Sequence, residues 1–294
     1  MQEDLFKQKY KQKLLETYDF AVSFLNKHNL QWWGAYGTGI GAVRHKGLIP
    51  WDDDIDFYMK RQDYEKLLSL NSEIQKEGFE LISAYNGTNS KFFYKISNRS
   101  TTLVADAAEP LDVGIFIDIF PLDYSDDDGK QFEKYYKRIR RWAGLHKYTY
   151  FNASFKDVIK TIIKDKKKCS RYLISMLLPG FVNKWTRKEI EEIDRIISLK
   201  KSGQYLVSYY GPYGRKEILN SDWFDDYVEL VFENRMIRLP KEYDSYLRHM
   251  YGDYMVPPAY IPESTHSQAY INLNKHINMD DVYCRLKKGI FKEF

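Results

Sequence analysis

Residues 51–56 read Trp-Asp-Asp-Asp-Ile-Asp and run straight into Phe57, Tyr58 and Met59. Carboxylates this crowded repel one another, and burial raises that penalty, so the cluster demands a counter-charge. Just upstream, Gly37-Thr38-Gly39-Ile40-Gly41-Ala42-Val43 offers small backbone donors, and Arg44, His45 and Lys46 follow. A phosphate-sized cradle followed by a cation-sized acidic cluster fits metal-assisted chemistry on a phosphate ester. Asp54 and Asp56 stand two apart at the start of an expected strand. Their carboxylates would therefore share a face and grip one divalent cation or bridge two. Asp118 is the expected third ligand, because it is the only charge in the apolar run 114–121. A lone buried carboxylate is costly unless metal or a Lys or Arg pairs with it. Gly37, Thr38, Arg44, His45 and Lys46 are expected on phosphate oxygens. Lys95, a lone cation in an apolar strand, either joins them or snorkels to the surface.

Other readings of the acidic cluster compete with this one. Asp52, Asp54 and Asp56 imitate the first ligands of an EF-hand loop, but Phe57 takes the place of its glycine and Asp63 that of its final Glu. A dinucleotide-binding fingerprint can be forced from residues 37–42, yet the Asp cluster follows too early and too densely for a single ribose-binding acid. The metal-binding Asp-x-Asp of a sugar-nucleotide glycosyltransferase is the serious rival. The upstream Gly-Thr segment and the later Asp118 favour a nucleotidyltransferase-like site over it.

The elements that must position these residues follow from periodicity. Apolar positions from Leu5 to Leu25 predict an amphipathic helix over 3–28. A short strand at 32–36 should lead into the Gly-rich turn, with a brief helix at 39–46 stopped by Gly47. Strands are expected at 55–59, 79–84, 91–97, 101–105 and 114–121, with a helix at 61–76. Residues 126–200 read as helical and basic. Strands at 204–209 and 228–232 and a helix at 240–250 close the expectation. The class is α+β, with a small mixed sheet wrapped by helices. It divides into a catalytic core at 1–125, a helical basic insertion at 126–202 and a part at 203–294 completing the same domain. At 294 residues and 44% hydrophobic content the chain can bury a real core. A net charge of +4 makes no case for nucleic acid. The N-terminal residues lack a signal peptide's apolar stretch, and Cys169 and Cys284 show no metal spacing, so a reducing cytoplasm is expected.

Several segments together resemble the LicD family. They are Tyr36-Gly37-Thr38, the run from Gly41 to Gly47, and Ile49-Pro50-Trp51-Asp52-Asp53-Asp54-Ile55-Asp56. The run from Gly114 to Asp123 and Tyr251-Gly252-Asp253-Tyr254-Met255 complete the likeness, which covers about 14 to 272. The resemblance implies a nucleotidyltransferase-type fold and a divalent metal, Mg2+ with Mn2+ as the other candidate. It implies transfer of phosphocholine from CDP-choline to a hydroxyl of a lipid-linked glycan such as a teichoic acid, releasing CMP. By position, Asp54, Asp56 and Asp118 would hold the metal and carry catalysis, and Asp53 and His266 would touch substrate. Another phospho-alcohol on the same scaffold, a polyol phosphate or phosphoethanolamine, is the nearest alternative, and a non-catalytic descendant a further one. A quaternary ammonium head group would suit aromatic faces such as Trp32, Trp33, Tyr36 or Tyr58. Lysines and an apolar stretch within 156–182 suggest peripheral contact with an anionic membrane at its inner face.

Overall fold

The computed structural model describes residues 2–85, 91–105, 113–126, 129–149, 173–175, 177–259 and 268–294. Helix α1 (Gln2–Lys27) buries Leu14, Tyr18, Ala21 and Leu25, a stripe set by the three-to-four-residue spacing. Strand β1 (Trp33–Gly34) leads directly into α2 (Tyr36–Ile40), which continues as a π-helical turn over Gly41–His45. The Gly-rich segment is thus helical from Tyr36 onward, earlier than expected. Next come β2 (Asp56–Lys60), α3 (Arg61–Ser69), α4 (Asn71–Lys76), β3 (Phe79–Ile82), β4 (Tyr94–Asn98), β5 (Thr102–Val104) and β6 (Phe116–Ser125). The single helix expected over 61–76 breaks at Leu70, and the Asn71 side chain beyond the break accepts from the Leu81 amide at 3.0 Å.

Helices α5 (Lys130–Thr149) and α6 (Pro179–Ile197) follow, and between them 150–172 lie outside the described residues. The rest is β7 (Tyr205–Val207), β8 (Ile218–Asn220), β9 (Tyr227–Phe232), β10 (Arg235–Pro240), α7 (Tyr243–Tyr251), β11 (Tyr270–Asn272), α8 (Met279–Lys287) and β12 (Lys292–Glu293). The principal sheet runs β1-β2-β6-β4-β3, and β7 and β8 extend it from the far end of β6. Only β2 and β6 are parallel within it, so the sheet is mixed and the class α+β.

Both faces of this sheet are covered, which is why its strands read as continuous apolar runs. On one face Phe57, Met59, Ile96, Ile117 and Ile119 pack with α1 residues such as Tyr18 and Leu25. On the other, Trp33, Tyr58, Phe120 and Leu122 meet Phe132 and Ile139 of α5, Ile190 and Ile193 of α6, and Tyr246 and Met250 of α7. Among the described residues no helix is long and apolar enough to cross a membrane.

Candidate active site

Strand register assembles the site. Asp56 of β2 lies opposite Asp118 of β6, and Lys95 of β4 lies opposite Asp118 on the other side. Side chains alternate along strands, so Asp56, Asp118 and Lys95 stand in one row on one face of three neighbouring strands. The next row on that face is apolar, formed by Trp33, Tyr58, Phe120 and Phe93, with the Phe93 and Phe120 ring centroids 4.3 Å apart. Charges therefore sit on a rigid aromatic floor.

Lys95 Nζ donates to Asp118 Oδ1 at 2.5 Å and lies 3.5 Å from the Phe116 ring centroid. Both side chains are buried, so each charge is satisfied by the other. Asp56 is less well served. Burial pushes its carboxyl well above the ordinary range, Asp54, Asp118 and Asp52 push it further, and Lys95 only partly opposes them. Asp54 lies two residues before the start of β2. Its charge and that of Asp56 act on one another.

The segment upstream positions the acids. Thr38 is buried and its Oγ1 accepts from the Asp56 amide at 2.9 Å, fixing the start of β2. A Cβ on Gly37 would collide with the Asp52 carboxylate, so a larger residue here would displace that side chain. Arg44 Nε donates to His45 Nε2 at 2.9 Å, its Nη1 donates to the Tyr254 carbonyl at 2.6 Å, and its guanidinium lies 5.9 Å from the Trp51 ring. Burial and then Arg44 lower the His45 pKa, so His45 sits here as a neutral ring rather than a cation. Lys46 is exposed and closes the π-helical turn with φ 55°, its carbonyl accepting from the Glu233 amide at 2.9 Å. Asp53 Oδ2 accepts from Gln268 at 3.0 Å, and its carbonyl accepts from Tyr10 at 2.9 Å. His266 lies outside the described residues.

Two neighbours were invisible to sequence reasoning. Glu217 is fully buried, accepting from the Tyr36 hydroxyl at 3.0 Å, the Tyr58 hydroxyl at 3.3 Å and the Tyr213 amide at 3.0 Å. Burial pushes its carboxyl up to about 7. Tyr213 is 43% exposed, and its ring lies 5.6 Å from Tyr36 and 5.5 Å from Tyr251. Burial, then Asp56, Glu217 and Asp52, raise its phenol, which places it at the edge of the acidic cluster. The cage candidates Trp32, Trp33, Tyr36 and Tyr58 are instead core residues, each at most 4% exposed.

Among the described residues no three His, Cys, Asp or Glu side chains close on one ion-sized position. Magnesium commonly takes only one or two protein carboxylates, completing its shell with water and substrate phosphates. Asp56 with Asp54 or Asp118 offers that donor set, and the crowding of carboxylates around Asp56 suits a divalent cation.

Comparison with known proteins bears on the same residues. The family described as LicD/FKTN/FKRP, nucleotidyltransferase domain, matches residues 29–157, which include every site residue expected from sequence except His266. The chain is 28% identical to the lipopolysaccharide cholinephosphotransferase LicD of Haemophilus influenzae, over 87% of this chain and 95% of that protein. Shorter likenesses reach an uncharacterized protein of Rickettsia prowazekii, 38% identical over 21% of this chain and 24% of that one, and human ribitol 5-phosphate transferase FKRP, 30% identical over 29% and 18%. Residues 29–157, which carry the row of Asp56, Asp118 and Lys95, therefore match a LicD-type nucleotidyltransferase domain, and the likeness to a cholinephosphotransferase extends over most of the chain.

Proposed function

We propose that this protein transfers phosphocholine from CDP-choline to a hydroxyl of a cell-surface glycan precursor, such as a lipid-linked teichoic acid, releasing CMP. The observation that carries the reading is the row of Asp56, Asp118 and Lys95, with Asp54 and Asp52 acting on it. Extended likeness to a cholinephosphotransferase supports the choice of donor.

Asp54, Asp56 and Asp118 would hold Mg2+ or Mn2+, which when bound offsets the charge that builds on the bridging phosphate oxygens. Lys95 stands beside Asp118 and supplies an ammonium to a donor phosphate oxygen. The Gly37 and Thr38 backbone and Arg44 orient the diphosphate, His45 offering a neutral donor beside them. Asp118 takes the proton of the acceptor hydroxyl. That oxygen attacks the choline-bearing phosphorus, a new P–O bond forms, the P–O bond to the CMP phosphate breaks, and CMP leaves. Tyr213 presents the exposed aromatic face that a trimethylammonium group needs. A lipid-linked acceptor puts the reaction in the cytoplasm, at the inner face of the plasma membrane.

Incubating the protein with CDP-choline, Mg2+ and lipid-linked glycan should release CMP and label the glycan with choline. Parallel reactions with CDP-ribitol, CDP-glycerol and a UDP-sugar separate the readings. Turnover of a polyol donor alone would move the assignment to that phospho-alcohol, as the short likeness to a ribitol 5-phosphate transferase allows. UDP release would make the protein a glycosyltransferase. Tyr213→Ala should weaken CDP-choline binding by roughly two- to thirtyfold while leaving CMP binding nearly unchanged, which calorimetric titration reads directly.

A further inference from the structure

Helices α5 and α6 form an antiparallel pair. Arg138 contacts Glu189 at 2.7 Å, and further toward the free end of the pair Thr149 Oγ1 donates to Asn183 at 2.6 Å. The inward stripe of α6 is ordinary core, with Val182, Thr186, Ile190, Ile193 and Ile197 all buried. The outward side at its start is different. Leu177 is 76% exposed, Leu178 and Phe181 55% each and Trp185 40%, with Leu173 and Ile174 exposed beside them. Phe181 and Trp185 stand one turn apart with ring centroids 5.7 Å from each other. An apolar patch of this kind on a soluble domain marks a contact surface.

Charge says what the contact is. Lys184, Arg187 and Lys188 share the first three turns of α6, and its acidic residues begin only at Glu189. Lys188 Nζ lies over the Trp185 ring at 5.4 Å from its centroid, which sets a cation beside the apolar patch. Arg140 and Arg141 are exposed in the second half of α5, the half that packs against the start of α6. Aromatic and leucine side chains flanked by basic groups, with no acid within 177–188, complement a layer of phosphate headgroups over acyl chains. Of the segment expected from sequence, 156–182, residues 156–172 lie outside the described residues, and the described surface is centred on 177–188.

We propose that the start of α6, with the second half of α5, docks this protein peripherally on an anionic lipid surface, Leu177, Phe181 and Trp185 entering the headgroup boundary and Lys184 and Lys188 meeting phosphates. The inference stands on this surface alone and does not depend on which donor the enzyme uses.

The test is sedimentation of the full chain with vesicles of phosphatidylcholine, alone or mixed with phosphatidylglycerol, at low and high salt. Wild type should bind the mixed vesicles only, and salt should release it. Leu177→Ser with Phe181→Ser should lower that binding about tenfold, and Lys184→Glu with Lys188→Glu should abolish its salt dependence, with melting temperatures unchanged because these side chains are exposed. Absence of binding, or equal binding by wild type and both variants, overturns the proposal. So does a concentration-dependent dimer that Phe181→Ser dissociates, since a second copy would then cover the patch, or protection of Trp185 from quenchers without lipid, since residues 150–172 would then cover it.

Discussion

At the scale of single residues, the site turns on which charge compensates which. Asp118 is paired with a buried ammonium, while Asp56 is crowded by other carboxylates. The two aspartates should respond oppositely to neutralisation. Without metal, Asp56→Asn is expected to melt at or above the wild-type temperature, because like-charge repulsion is relieved. Asp118→Asn and Lys95→Met should each lose about 3–5 kcal/mol by leaving a buried charge alone. Combining them should recover part of the loss, and all four proteins should fail to release CMP. Thermal melts and a nucleotide-release assay check this. Glu217 gives a pH signature. Its folded value, about 7, stands above the ordinary 4.5, so its favourable contribution is complete below pH 4.5 and is lost as pH rises through 7. Glu217→Gln should match wild type near pH 4 and exceed it by about 3 kcal/mol near pH 8 in denaturant titrations. Asp118 and Lys95 were legible in the sequence as solitary charges within apolar strands. Glu217 was not, because it reaches Tyr36 and Tyr58 across more than 150 positions of chain and carries no periodic mark.

At the scale of elements, the strands of the site were largely readable and their limits were not. Strand β6 runs on through Pro121 to Ser125, four residues past its expected end. The Asp118 amide donates to Ile55 of the segment entering β2, so alternate amides, including position 121, face the opposite edge. There β4 has ended at Ile119 and β7 begins only at Asp123, so no ladder bond is lost to proline. Strand β10 escaped notice because its hairpin turns on Glu233 and Asn234, both at positive φ, with no glycine to announce it. The start of α3 carries a buried network in which Arg61 contacts Asp123 at 2.7 and 2.8 Å and Asp194 of α6 at 3.3 Å. Tyr85 and Tyr210 donate to the same Asp194 at 2.5 and 2.7 Å. This network ties α3, β6 and α6 together. Arg61→Lys should not rescue it, since a point charge cannot make the paired contacts of a guanidinium. A loss of about 3–5 kcal/mol is expected for Arg61→Met, and most of that loss should persist in Arg61→Lys when both are measured by urea unfolding.

At the scale of the whole molecule, the chain returns repeatedly to one strand. The α+β class could be read from periodicity and a nucleotidyltransferase-like plan from the resemblance of the motifs, and the structure sets the acidic motifs on neighbouring strands. The seams among distant segments could not, since β7, β9–β10 and β11 reach their partners by contacts that leave no local pattern. Strand β6 pairs with β2 and β4 over its first half and with β7 over its last three residues, and it lies between the two cores. Its amide protons can meet solvent only when partners from both ends of the sequence have separated. Deuterium should therefore enter β6 at the rate of global unfolding, and mutations that shift overall stability should shift that rate in step. Strands β11 and β12, which lie in a separate small sheet with β5, should label first through local opening. Exchange followed by mass spectrometry would rank them, and it would locate Asp118 within the last unit of the fold to come apart.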